Sequence, residues 1–532
     1  MSSSMGPGEK KDSAVSAFLA RAVALHLEGK RQEALHELQS AVQAGEDSPE
    51  VHSAKGHLLY ELGQFEDAAL SYQRLLELVP NHPTANFNLA ICLEKLTRWA
   101  DAADSFQRAL VYDTERLDTR LGLGICLLHT EMPEPALEQF DRVLAKDEKN
   151  EIATFGKAVA LQLLWKFDEA GALYRRILQK NPKSEECLIN LVTIGMARKD
   201  DAMTREFSEK LLTLRPSSLT ALEGLASCAF ASNDHEAAVT FCNKLVEATP
   251  DHFERWFNLG VAHQKTGRFD KASEAYKKAL GLRQDAKQAW VNFGIAQQEL
   301  GELAQAKAAY EKALQLAPDL ADVQYNLASV YEQSNLLDEA ERMYAKLLAR
   351  NPDIDDAWFR LGHLRLQRSD YRTASDAFEQ CVRRRPDWIE AQMNLALCFW
   401  NSGMQEAAAK SFETVLTLDA NSLDALRALA ALAIEKEDFE QALDMQARMI
   451  EAGERSPELF YNTGLLLQKS GQIDDAIRLY REALNEKPQF AEAMLNLGHA
   501  LKAQGLQDEA RKLWKQALEI KPELAAGYFD RS

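Results

Sequence analysis

The sequence predicts an all-α solenoid of about fifteen helix-turn-helix units of 34 residues, and three observations predict it. Alanine recurs every 34 residues, at Ala34, Ala68, Ala102, Ala136 and Ala170, then at Ala238, Ala272, Ala306, Ala340, Ala374, Ala408, Ala442, Ala476 and Ala510, with Thr204 breaking the series. Twelve residues earlier stands a second small residue, as at Gly56, Ala90, Gly124, Gly260, Gly294, Ala328, Gly362, Gly464 and Gly498, with Val192 the exception. Four residues after the alanine an aromatic is common, as at Tyr72, Phe106, Phe140, Tyr174, Tyr276, Tyr310, Tyr344, Phe378, Phe412, Tyr480 and Trp514. A period of this length is the mark of a repeat array, in which each unit packs on its neighbours.

Each element has a physical reason. Two small residues let one helix of a pair lie close against the other. The aromatic is expected to fill the space between successive pairs. Glycine near the middle of a unit (Gly63, Gly267, Gly301, Gly403, Gly471, Gly505) ends the first helix, where a left-handed residue is needed. Proline at positions such as Pro80, Pro182, Pro216, Pro250, Pro318, Pro352, Pro386, Pro488 and Pro522 ends the second helix and starts the next turn. The fifteen units run without insertion from Val15 to Leu524, which predicts a continuous array over 15–524. Residues 1–14 are read as a disordered polar tail, and 525–532 as a remnant or minimal cap that restarts the pattern at Tyr528. The sixth unit (185–218) departs most from the pattern, and the thirteenth (423–456) lacks both aromatic and proline, so both are expected soft points.

A formal net charge of −19 repels polyphosphate and argues against nucleic acid as a partner. No apolar run reaches the ~18 residues that a membrane span requires, so no membrane insertion is expected. The seven cysteines form no CxxC pair and are odd in number, which fits a reducing compartment, and the cytoplasm is the expected location.

No catalytic constellation stands out. His36-Glu37 and His235-Glu236 each lack the second histidine of a zinc-protease helix, and there is no phosphate loop or nucleophile elbow. Gly122-Leu123-Gly124 has Leu127 where a dinucleotide loop needs its third glycine, and no strand precedes it. His57, His363 and His499 share one repeat position but lie many repeats apart, and Cys92, Cys126, Cys228 and Cys398 read as small buried hydrophobes. The expectation is a non-enzymatic protein with no cofactor and no metal.

The chain resembles the tetratricopeptide repeat family, whose W-x2-L-G-x2-Y…A-x3-F…P pattern is present in degenerate form, best in WFNLGVAHQKTGRFDKASEAYKKALGL from Trp256. The resemblance implies a right-handed superhelix whose first helices line a concave groove. Sixth in many units stands an asparagine: Asn88, Asn190, Asn258, Asn292, Asn326, Asn394, Asn462 and Asn496. A primary amide donates and accepts, so such a ladder can bond the backbone of an extended peptide whatever its sequence. The series resembles the asparagine ladder in the arrays that precede the catalytic domain of O-linked N-acetylglucosamine transferases, without that domain here. The alternative is that these asparagines face solvent or bond within the array.

Beside the ladder run apolar rows, Phe87, Leu121, Phe155, Ile189, Phe257, Val291, Tyr325, Phe359 and Met393, then Ile91, Ile125, Val159, Val261 and Ile295. They either wall the groove or pack between helices. These apolar neighbours, and the lack of asparagine at the ninth position, argue against the carboxylate clamp of the family's heat-shock co-chaperones. An acidic series near the starts of first helices (Glu50, Asp118, Glu186, Glu254, Asp322, Asp356, Glu390, Asp424, Glu458, Glu492) favours helix N-termini in itself, or else selects basic ligands. A separate patch, Arg383, Arg384, Arg385, Trp388, Trp400, Asn401 and Arg427, has the composition of an interface hot spot, or is a set of solvated arginines and half-buried tryptophans. The leading expectation is a scaffold or adaptor holding a protein or peptide along the groove. Its rivals are self-association through the C-terminal end, and a targeting subunit for a separately encoded enzyme such as a glycosyltransferase.

Overall fold

The computed structural model describes residues 17–525; the N-terminal tail, Val15 and Tyr528 lie outside them. Thirty α-helices and one short 3-10 turn, Pro522–Leu524, are described, and there is no strand among these residues. First helices typically span 13 residues and second helices 14, as in Pro83–Lys95 with Trp99–Tyr112. The all-α helical-hairpin architecture is as the period predicts. No described helix is long and apolar enough to cross a membrane.

Two compact units divide the chain, Met1–Arg268 and Phe269–Ser532. Within each, a second helix packs against its own first helix and against the first helix of the following repeat. First helices of successive repeats also touch. In the first unit Leu117–His129 meets Glu151–Leu163, and in the second Asp355–Gln367 meets Ile389–Asn401. Second helices do not approach one another so closely. The first helices therefore line the inner face of each unit.

Every alanine of the 34-residue series is fully buried. The aromatic does more than the sequence suggested, because it is wedged inside its own hairpin as well as against the next. A Cβ built on Gly124 would stand 2.8 Å from the Phe140 ring, and one built on Gly156, in the following repeat, 2.4 Å from it. The sixth repeat solves the same problem with different residues. There Thr204 replaces alanine, Thr204 Oγ1 donates to the Asp200 carbonyl at 2.8 Å, and Gly195 supplies the missing space opposite it.

The turn inside each hairpin uses a left-handed residue, as expected at Gly63, Gly267, Gly301, Gly403, Gly471 and Gly505. Thr97, Glu131, Trp165, Lys199, Asn233, Asn335, Ser369 and Glu437 hold the same conformation at the same repeat position. At the other end, residues before proline such as Asn181 (φ −125°, ψ 84°) leave the helix for extended backbone. Glu458 pairs with Lys487 at 3.2 Å and Glu492 with Lys521 at 2.6 Å. These members of the acidic series thus meet a lysine just past their own repeat's second helix.

Candidate functional site

The asparagine row lies on the first helices, one position past a half-buried apolar row. That apolar row packs edge-on against the aromatic of its own repeat. Phe155 meets Tyr174 with centroids 5.7 Å apart, Tyr325 meets Tyr344 at 5.7 Å, and Phe359 meets Phe378 at 5.7 Å. Packing between helices therefore engages these members of the row.

Each asparagine stands sixteen residues after the aromatic position of the preceding repeat. Tyrosine precedes Asn88, Asn190, Asn292, Asn326 and Asn496; phenylalanine precedes Gly122, Gly156, Asn394 and Ala428, and at the two glycines the ring leaves no room for a side chain. The tyrosine hydroxyl explains part of this pattern. Asn88 bonds Tyr72, and Asn292 Nδ2 donates to Tyr276 Oη at 3.4 Å while its Oδ1 accepts from Gln288 at 3.0 Å. Asn496 is 3% exposed and donates through Nδ2 to Tyr461 Oη and the Glu492 carbonyl, both at 3.0 Å. These three amides serve the array itself.

The other five differ. Asn190, Asn258, Asn326, Asn394 and Asn462 are half-buried or exposed, and none makes a side-chain hydrogen bond among the described residues. Other groups satisfy the neighbouring tyrosines in the second unit: Tyr310 donates to Gln298 Oε1 at 3.0 Å, and Tyr480 to Gln468 Oε1 at 2.8 Å. Burial pushes the Tyr310 phenol well above its usual range. Asn394 lies with Phe359, His363 and Met393 on the wall of a cavity of about 430 Å³.

The arginine–tryptophan patch resolves into separate local contacts. Arg385 lies 4.4 Å from the centroid of Trp388, which stacks on Phe359 at 4.6 Å. Trp400 meets Phe412 edge-on at 6.1 Å, and Asn401 Nδ2 donates to the Leu397 carbonyl at 2.8 Å. Arg384 reaches Asp353 and Asp355 at 3.8 Å, Arg427 pairs with Asp424 at 2.9 Å and Glu454 at 3.1 Å, and Arg383 is exposed.

All seven cysteines are buried, and burial pushes the thiols of Cys92, Cys126, Cys242, Cys381 and Cys398 up to about 12. They are core residues in an unreactive state. Gly122-Leu123-Gly124 lies inside the helix Leu117–His129, its glycines against Phe106 and Phe140. The histidines are less scattered than their spacing suggests: His26, His57 and Glu61 place their ligand atoms within 4.8 Å of one another, since adjacent first helices bring residues 31 apart together. Arg31 Nε already holds the Glu61 carboxylate at 2.7 Å.

Models of the tetratricopeptide repeat match residues 53–119, 133–185, 205–253, 359–422 and 461–525, with further repeat models over 298–362 and 253–285. No curated protein matches the sequence. Among solved structures, the protein MamA is 26% identical over 32% of this chain and 94% of its own, with a TM-score of 0.29. The APC/C hetero-tetramer Cut9-Hcn1 supplies a chain 14% identical, covering 87% of this chain and 98% of that one, with a TM-score of 0.30. A tetratricopeptide repeat protein from Parabacteroides merdae ATCC 43184 is 17% identical over 50% of this chain and 98% of its own, with a TM-score of 0.32.

Proposed function

The chain belongs to the tetratricopeptide repeat family, and on that premise we propose that it holds an extended peptide segment of another protein along its first helices. Tandem repeats of this family are protein–protein interaction scaffolds, and all the family models that match are such repeats. The observation that carries the finer reading is the set of unengaged amides at Asn190, Asn258, Asn326, Asn394 and Asn462. The hydrogen-bonding capacity of a primary amide matches the N–H and C=O of a strand-like ligand. The second unit offers this most densely, with asparagine at five of its seven first-helix positions and the amide open at three of them, Asn326, Asn394 and Asn462. Arg360 and Ala428 are its interruptions.

Selection of a random twelve-residue peptide library on the full chain tests the reading. Two lost backbone bonds of about 0.5–1.5 kcal/mol each predict that Asn326→Ala with Asn394→Ala weakens the selected peptides about 5- to 150-fold. Unchanged affinity in that variant would move the binding surface off the first helices.

A further inference from the structure

The thirteenth repeat carries Gln446 where its neighbours carry Phe412 and Tyr480. Those rings are fully buried. Gln446 is buried too, at 5% exposure, with a smaller side chain than either ring. A cavity of about 680 Å³ opens beside it, with Ile434, Leu465 and Leu466 as apolar wall and Asn462, Gln468, Lys469 and Asn496 as polar wall. The Gln446 carbonyl is buried with no hydrogen-bond partner among the described residues, a condition that disfavours the empty pocket. Asn462, an unengaged member of the asparagine row, shares the cavity, and the Lys469 ammonium sits 5.3 Å from the Phe439 ring centroid.

We propose that this cavity is a specificity pocket for one neutral primary-amide side chain, glutamine or asparagine, of the bound peptide. The proposal rests on the peptide-binding reading above. Three features of the pocket select that chemistry. The orphaned Gln446 carbonyl requires a donor, which a carboxylate does not offer. The exposed Asn462 amide offers a donor to a carbonyl, and the Lys469 ammonium on the same wall opposes a second cation. A glutamine supplies donor and acceptor together on an apolar stem suited to Leu465 and Leu466.

The test uses small probes that need no ladder. N-acetyl-glutamine N-methylamide and its glutamate, lysine and leucine counterparts are titrated onto the full chain by saturation-transfer NMR. The glutamine probe is expected to bind at least tenfold better than the others. Gln446→Phe, which restores the aromatic of Phe412, should keep or raise the thermal midpoint and abolish that signal. Gln446→Leu, which keeps a buried apolar side chain without the amide, should remove the preference for glutamine over leucine. Equal signals from the four probes, or a glutamine signal that survives both substitutions, would overturn the proposal. Asn326→Ala with Asn394→Ala should leave the probe signal intact. Loss of library peptides together with an intact glutamine signal is what ladder and pocket jointly predict. A selected peptide that ignores the ladder variant, beside a Gln446-dependent probe signal, would sink the ladder and spare the pocket.

Discussion

Gly156 lies so close to Phe140 that an added Cβ would stand 2.4 Å from the ring's Cζ. The ring belongs to the repeat before and lies close to Gly124 on its other side, which leaves it little room to swing away. Overpacking of this kind costs about 1–3 kcal/mol, more than the ~1 kcal/mol that alanine gains over glycine in a helix. Gly156→Ala should therefore speed hydrogen exchange in the helices Pro133–Lys146 and Glu151–Leu163, and Phe140→Leu in the same chain should reverse much of the effect. Unchanged exchange in the single variant would show that the ring can yield.

The left-handed position is strained where a β-branched or bulky residue holds it. Thr97 (φ 56°) is β-branched and Trp165 (φ 61°) is 75% exposed with a bulky side chain. Thr97→Gly and Trp165→Gly should each stabilise the local hairpin by about 0.5–1 kcal/mol, the left-handed penalty less the entropy cost of glycine. Urea melts monitored by helical circular dichroism would show this as a higher midpoint, and a lower midpoint for both would refute it.

Asp47 supplies a pH-dependent contact. Its bond from Arg74, with a second from His52 at 2.6 Å, lowers its carboxyl to about 2. A depressed carboxylate contributes stability above its unfolded value, and that contribution fades as pH falls through 4 towards 2. Asp47→Asn should lower the urea midpoint at pH 7 and leave it nearly unchanged at pH 2. An equal loss at both values would mean that the charge plays no part.

The cysteines should be silent. With all seven buried and five pushed up to about 12, a disulfide thiol reagent at pH 8 should label none rapidly in the folded chain and all seven in urea. Rapid native labelling at any one of them would mark a local opening.

The fold was legible because the period is written in residue size. Ala34 to Ala510 recur at one spacing since nothing larger fits there, and the structure buries each completely. The left-handed turns at Thr97 or Lys199 left no such mark, because a backbone conformation held by packing need not be encoded by glycine. The asparagine row was visible as composition, yet its division was not. Whether an amide is spent on Tyr276 or Tyr461, or left open as at Asn326, depends on hydroxyl geometry that repeat spacing does not carry. The missing aromatic at Gln446 was likewise visible as a departure, whereas its buried carbonyl and the cavity beside it arise only when neighbouring repeats close around it.

Open asparagine amides that hold a peptide backbone, as proposed, depend on the peptide's N–H groups, and backbone N-methylation of one library-selected peptide removes those groups one at a time. Singly N-methylated versions would be titrated against the native chain and against Asn326→Ala with Asn394→Ala. Methylation at one or two sites should weaken binding to the native chain about tenfold and cost little further in the variant, since the bond is already lost. Equal losses in both proteins at every site would contradict it, because the asparagines would then make no bond to the peptide's amides.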